Sequence, residues 1–149
     1  MSKSVARGHA LRSSVDTVSR RCIEAIMNWS ATGAVLLALA VILGAFGAHG
    51  LQNRLDDYSR GVYEKAVFYH FLHAMGILVV AVLSRTGTFP QQAADMVCGC
   101  LLVGIVLFSG SLYALALTGN RALGMITPFG GLAFILGWLL LAWRLRRII

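Results

Sequence analysis

Four long apolar runs, residues 29–48, 66–83, 97–117 and 128–143, constrain this chain more than any other feature, and none of them contains an Asp, Glu, Lys or Arg. A hydrocarbon core of ~30 Å takes ~20 helical residues to cross, and a charge near its centre is costly. Each run therefore reads as a transmembrane helix, and the fold as all-α, an integral membrane bundle of four spans. Composition agrees: with 58% hydrophobic and 13% charged residues among 149, the chain has more apolar side chains than one soluble core of that size could hide.

Outside the runs lie a basic N-terminal extension, residues 1–28, a connector from His49 to Lys65, two shorter connectors and a basic tail. The spanning domain covers 29–147. No piece is long enough for a separate catalytic or nucleic-acid-binding module, so the net charge of +7 is read through topology, with no nucleic-acid partner expected. Four spans put the head, the middle loop and the tail on one side, carrying Lys3, Arg7, Arg12, Arg20, Arg21, Arg85, Arg144, Arg146 and Arg147. The other side keeps Arg54, Arg60, Lys65 and Arg121. This asymmetry predicts a multi-pass protein of the cell inner (plasma) membrane with both termini in the cytoplasm. A translation start at Met27 would equalise the two sides and leave the orientation to Arg144, Arg146 and Arg147.

The head does not read as a cleavable signal, because the apolar run behind it is long for a signal's hydrophobic segment. Leu11, Val15, Val18, Cys22 and Ile26 recur at helical spacing, with Arg12, Asp16, Ser19, Arg20 and Glu24 on the other faces, which suits an interfacial amphipathic helix. Five apolar positions bury little area, so a disordered extension is the competing expectation. Cys98 and Cys100 point to nearly opposite faces of one helix and cannot jointly hold a metal. No disulfide is expected, and both read as inert thiols.

Lipid tails are as apolar as leucine, so membrane helices associate through close packing, which needs small residues on the contact face. Ala40, Gly44 and Ala48 form such a row on the first span, continued by Gly47 and Gly50; Ala133 and Gly137 do so on the fourth. Ala66, Tyr69, His73 and Gly76 share one stripe of the second span, predicted to face inward. Gly44, Gly47, Gly76, Gly130, Gly131 and Gly137 are the candidate packing positions, within the bundle or at a homo-oligomer or membrane-protein interface.

Polar residues gather at one end. The first span exits at His49, the second enters near Tyr63 and Glu64 carrying Tyr69, His70 and His73, the third exits past Ser109, Ser111, Tyr113 and Thr118, and the fourth enters at Thr127 and Pro128. All fall in one leaflet, the outer one by the charge count. Imidazoles at membrane depth are costly unless paired, so a polar cluster of His49, Tyr69, His70, His73, Tyr113 and Thr127 is expected there. A metal or haem held by His70, His73 and His49 is the sharper alternative, but no Cys or Asp accompanies them and only Glu64 comes near, so neutral hydrogen-bonded histidines, with no metal and no cofactor, are preferred. Thr127 reads as a helix cap with Pro128 at the first helical position, and Gly119 as the left-handed residue closing the third span. Free amides at the start of the fourth span offer a lesser alternative, an anion site.

The segments GAFGAHGL (44–51), YEKAVFYHFLHAMGIL (63–78), FSGSLYALALTG (108–119) and ITPFGGLAFILGW (126–138) together resemble the YgdD-like family of small inner-membrane proteins, a domain of unknown function with bacterial and mitochondrial members. The resemblance covers about residues 27–147. It implies a four-helix membrane protein with no established reaction, and the positions matching its motifs are His49, Tyr69, His73, Gly110, Ser111, Tyr113, Gly119, Thr127, Pro128, Gly130 and Gly131. His70 departs from the family's pattern.

The leading expectation is a non-enzymatic membrane protein with a structural or partner-binding role and no catalytic residues, since no nucleophile with its base and no carboxylate pair is in view. The alternative is a small-molecule, lipid or cofactor-binding bundle in which His49, Tyr69, His73 and Tyr113 line a pocket. Reporter fusions after Ile149 and within residues 51–60 should report opposite sides of the membrane, cytoplasmic for the first; a non-cytoplasmic signal after Ile149 would sink the orientation.

Overall fold

The computed structural model describes residues 28–52 and 54–147; the amphipathic reading of 11–26, Cys22 and the start at Met27 lie outside the described residues. Helix α1 spans Trp29–His49 and α2 spans Asp57–Arg85. Helix α3, Gln91–Gly104, runs through a π-helical turn, Ile105–Ser109, into α4, Gly110–Thr118, and the three form one rod. A 3₁₀ turn, Arg121–Met125, leads into α5, Thr127–Leu145. Among the described residues there is no strand, and four helical rods are long and apolar enough to cross a membrane. The chain is an all-α, four-span membrane bundle.

Two helices start well before their apolar runs because local capping, not hydropathy, sets helix ends. The Asp56 carboxylate accepts the Ser59 amide at 2.7 Å, which starts α2 at Asp57 and holds this carboxyl below its ordinary pKa. At ~1.5 Å per residue the 29 residues of α2 measure about 43 Å, so its polar first turns project beyond a ~30 Å core. Pro90 likewise precedes α3, which opens with the polar pair Gln91 and Gln92. Gly119 closes the third rod in the left-handed region at φ 69°, its amide bonding the Leu115 carbonyl. The fourth span corrects one expectation: Thr127 is not a cap. The 3₁₀ turn feeds directly into α5, the Ile126 and Phe129 amides bond the Leu123 and Ile126 carbonyls, and the Thr127 hydroxyl turns to another helix. These bonds take up amides that an anion would need.

Successive spans pack antiparallel, and the glycines mark where they touch. A Cβ built on Gly33 would lie 3.0 Å from the Leu78 backbone, one on Gly44 3.4 Å from Val67, and one on Gly47 2.5 Å from the Tyr63 ring, which ties the start of α1 to the end of α2 and the end of α1 to its start. Between the third rod and α5, a Cβ on Gly104 would overlap the Phe134 ring, one on Gly130 the Phe108 backbone, and one on Gly137 would sit 3.0 Å from Leu101. Gly76 of α2 faces Trp138 and Leu101 at 3.0 and 3.2 Å, while Gly131 meets only the edge of Phe108 at ordinary contact distance. Gly33 and Gly104 were not among the expected packing positions: no small residue four positions away drew attention to Gly33, and Gly104 was one small residue inside a long apolar run.

Helix α2 is central, packing against α1 on one side and the third rod on the other, and that rod packs in turn against α5. Its inward face carries Tyr63, Ala66, His70, His73, Ile77 and Val80, alternating steps of three and four, so it is a heptad seam. Ala66 and His73 of the predicted stripe are buried on this face, but Tyr69 sits at its edge, 36% exposed. Cys98 is fully buried with its thiol 3.8 Å from the Ile77 carbonyl, and Cys100 is half-buried; both are free thiols.

Gly104→Leu should drive a side chain into the Phe134 ring and lower stability in detergent by about 1–3 kcal/mol. Gly99→Ala, whose Cβ would meet nothing within 4 Å, should be neutral or stabilising. Thermal unfolding of both variants checks the contrast, and equal effects would mean that the α5 contact does not limit stability.

Candidate functional site

Five of the six residues expected to form one cluster take part in three sets of contacts, and His49 stands outside all of them. On the face of α2 towards the third rod, His70 is 4% exposed and its Nδ1 lies 3.4 Å from the Tyr113 hydroxyl, a long contact, while Nε2 has no partner among the described residues. One turn deeper, His73 Nδ1 is 2.7 Å from the Tyr69 carbonyl. A carbonyl only accepts, so Nδ1 must carry the proton there. The His73 ring stacks on Phe134 at 3.4 Å between centroids, 13° from parallel, and on Tyr69 at 5.8 Å; Phe108 closes the group, 4.6 Å from Tyr69. His73 is thus a flat ring in an aromatic stack joining α2 to α5.

The third set lies between the last two spans, where Ser111 Oγ lies 3.0 Å from the Phe108 carbonyl and 2.9 Å from Thr127 Oγ1. Ser111 has one proton, which goes to the carbonyl, so Thr127 donates to Ser111. His49 joins none of these: it is exposed at the end of α1, and no hydrogen bond or ring contact among the described residues involves it. The trio of His49, His70 and His73 is therefore not assembled, and no group of three metal-ligating side chains occurs among the described residues.

The π turn lies between these contacts. The Gly110 amide reaches back to the Ile105 carbonyl, and the one inserted residue rotates all later side chains by ~100° about the axis. Phe108 can thereby press on Gly130 while Tyr113 turns to α2. Ser109, fully buried in the turn, has no partner for its hydroxyl among the described residues. The apolar sequence of the turn gives no sign of it.

Sequence reasoning also missed a clasp at the opposite end, where Asp95 accepts from Trp29 Nε1 and Gln91 Nε2, both at 2.8 Å, and Arg85 donates to Asn28 at 2.7 Å. The available signal was an acid two residues before one apolar run and a Trp at the first residue of another.

A cleft of about 780 Å³ lies between α1 and α2 at the connector end, within the ~300–1,000 Å³ of small-molecule sites. Small residues of α1, among them Ala40, Gly44 and Gly47, form its floor, and Val67, Phe68 and Phe71 of α2 its wall. Tyr63 shapes its mouth, its hydroxyl donating to the Leu43 carbonyl at 2.9 Å and its ring edge-on to Tyr113. Gln52, Arg60 and Glu64 ring that mouth.

Residues 43–131, from the end of α1 through the start of α5, match the family model described as "Protein of unknown function (DUF423)". This chain belongs to that family. A UPF0382 membrane protein of Staphylococcus haemolyticus is 49% identical over 109 residues, covering 73% of this chain and 87% of the relative. A second from Staphylococcus epidermidis has the same identity and coverage. UPF0382 membrane protein YwdK of Bacillus subtilis is 46% identical over 111 residues, covering 73% and 88%. No solved structure matches the chain. The DUF423 protein is thus an integral membrane protein of a family of unknown function, in agreement with the resemblance carried by its four motifs.

Thr127→Val should cost about 0.6–1.7 kcal/mol, the range for hydrogen bonds between membrane helices, and Ser111→Ala added to it should cost less than it does alone. A double-mutant cycle on detergent-unfolding free energies measures the coupling; strict additivity would mean that the two hydroxyls do not hold the spans together.

Proposed function

We propose that this DUF423 protein is a non-enzymatic binding protein of the cell inner membrane, both termini in the cytoplasm, and that it holds an amphiphile in the cleft between α1 and α2. The cleft itself carries this reading. It is apolar along its length, charged only at its mouth, and open to the side on which lipid would lie. Support for a non-enzymatic role comes from three of the polar side chains at membrane depth: His73, Ser111 and Thr127 are spent on helix contacts, and the aromatic stack leaves no space beside the His73 ring face against Phe134. The nine-to-four basic asymmetry supports this orientation, in which the cleft belongs to the outer leaflet.

Protein purified in mild detergent should retain an extractable amphiphile at a fixed ratio, and Ala45→Phe, which projects a ring into the cleft from an exposed position, should lose it. Protein that retains nothing and is not stabilised by any added membrane extract would refute the reading, and chemical alteration of an added lipid would refute its non-enzymatic part.

A further inference from the structure

The cleft has a polarity and a length, and together they specify an occupant. Its lining runs along α1 from Ala40 to Ala48 and along α2 from Arg60 to Phe71, about 12 and 17 Å at ~1.5 Å per residue. One leaflet of a ~30 Å core is about 15 Å deep. Beyond Ala40 the lining ends, and at Gly33 the two helices touch, a Cβ there lying 3.0–3.1 Å from the Leu78 backbone. A molecule filling it extends from the connector end to near the bilayer midplane, as an acyl chain does.

At the mouth the charges are of both signs and one helical turn apart. Arg60 and Glu64 stand at i and i+4 on α2, about 6 Å between Cβ atoms, and both line the cleft. The Arg60 guanidinium donates to the Gln52 carbonyl, and among the described residues no hydrogen bond joins it to Glu64. That carbonyl takes one of five N–H donors, leaving the fork able to hold a phosphate, while the Glu64 carboxylate accepts N–H donors from a cation.

We propose that the cleft selects a zwitterionic phospholipid whose headgroup ends in a primary ammonium, with one acyl chain between α1 and α2, its phosphate on Arg60 and its ammonium on Glu64. This rests on the reading of the cleft as an amphiphile site and adds the headgroup to it. A quaternary ammonium has no N–H to give Glu64, and an anionic headgroup without a cation sets its charge beside that carboxylate. Both are disfavoured.

The test uses the full chain, delipidated in detergent and offered phosphatidylethanolamine, phosphatidylcholine or phosphatidylglycerol with identical acyl chains, with bound lipid counted by native mass spectrometry. Phosphatidylethanolamine should be retained about tenfold better than the other two. Glu64→Gln should bring the three within about twofold, Arg60→Gln should lower all of them about tenfold, and Ala45→Phe should abolish retention of all three. Glu64 and Ala45 are exposed, so these variants should fold with unchanged thermal midpoints in the absence of lipid. Equal retention of the three lipids by the wild-type chain, or a preference that survives Glu64→Gln, overturns the headgroup assignment while leaving the cleft intact. Retention that survives Ala45→Phe places the lipid elsewhere and overturns both.

Discussion

The structure depends on close backbone approach between antiparallel helices in a solvent that gives them no apolar reason to associate. Lipid tails solvate a leucine-rich surface as well as another helix does, so only contacts that lipid cannot duplicate favour the bundle. Gly104 beneath the Phe134 ring and Gly130 against the Phe108 backbone are such contacts, because a lipid chain cannot enter a gap that a single added carbon would overfill. Helix α1 packs chiefly on α2 alone, and so buries only Trp29, Gly33 and Ala40.

Hydrogen bonds supplement this packing where it is thinnest. At one end Asp95 gathers Trp29 and Gln91 and so holds the start of α1 to the third rod, two spans that otherwise share little surface. At the other end Thr127 and Ser111 fasten the last two spans, and Tyr63 anchors α2 to the α1 backbone at Leu43. His73 contributes mainly as a ring. Its one fixed hydrogen bond is to its own helix, and this both satisfies Nδ1 and frees the ring face to lie on Phe134. A buried polar group unpaired in this setting costs about 1–3 kcal/mol, which gives each partner found here a direct bearing on stability.

The cleft is the counterpart of these contacts. Small residues let α1 approach α2 closely at Gly33, Gly44 and Gly47, and beside that contact line the short side chains of Ala40, Gly44, Ala45 and Ala48 leave space that Val67, Phe68 and Phe71 border without filling. A bundle whose helices touch at separated points has grooves wherever small residues exceed what the facing side chains can occupy. The proposal that this groove binds a ligand rests on its rim, which carries Arg60 and Glu64.

The sequence by itself determined the number of spans, their approximate limits and the all-α class, because membrane crossing depends on uninterrupted apolar length, a property of consecutive residues. It also located the ends set by local chemistry, such as Gly119. Its reading of glycines as contact points was legible for the same reason: a missing side chain is visible in one dimension. The polar end was legible as a region but not as an arrangement. Placing His49, Tyr69, His70, His73, Tyr113 and Thr127 in one leaflet needed only topology, whereas their division into a His70–Tyr113 contact, a His73 stack and a Ser111–Thr127 bond depended on the rotation of each rod about its axis. That rotation is altered within the third rod by the π turn at Ile105–Ser109, and helices related by it can be turned with little change in apolar burial, since lipid accepts any apolar face. Only the packed structure fixes it, and with it the position of the cleft.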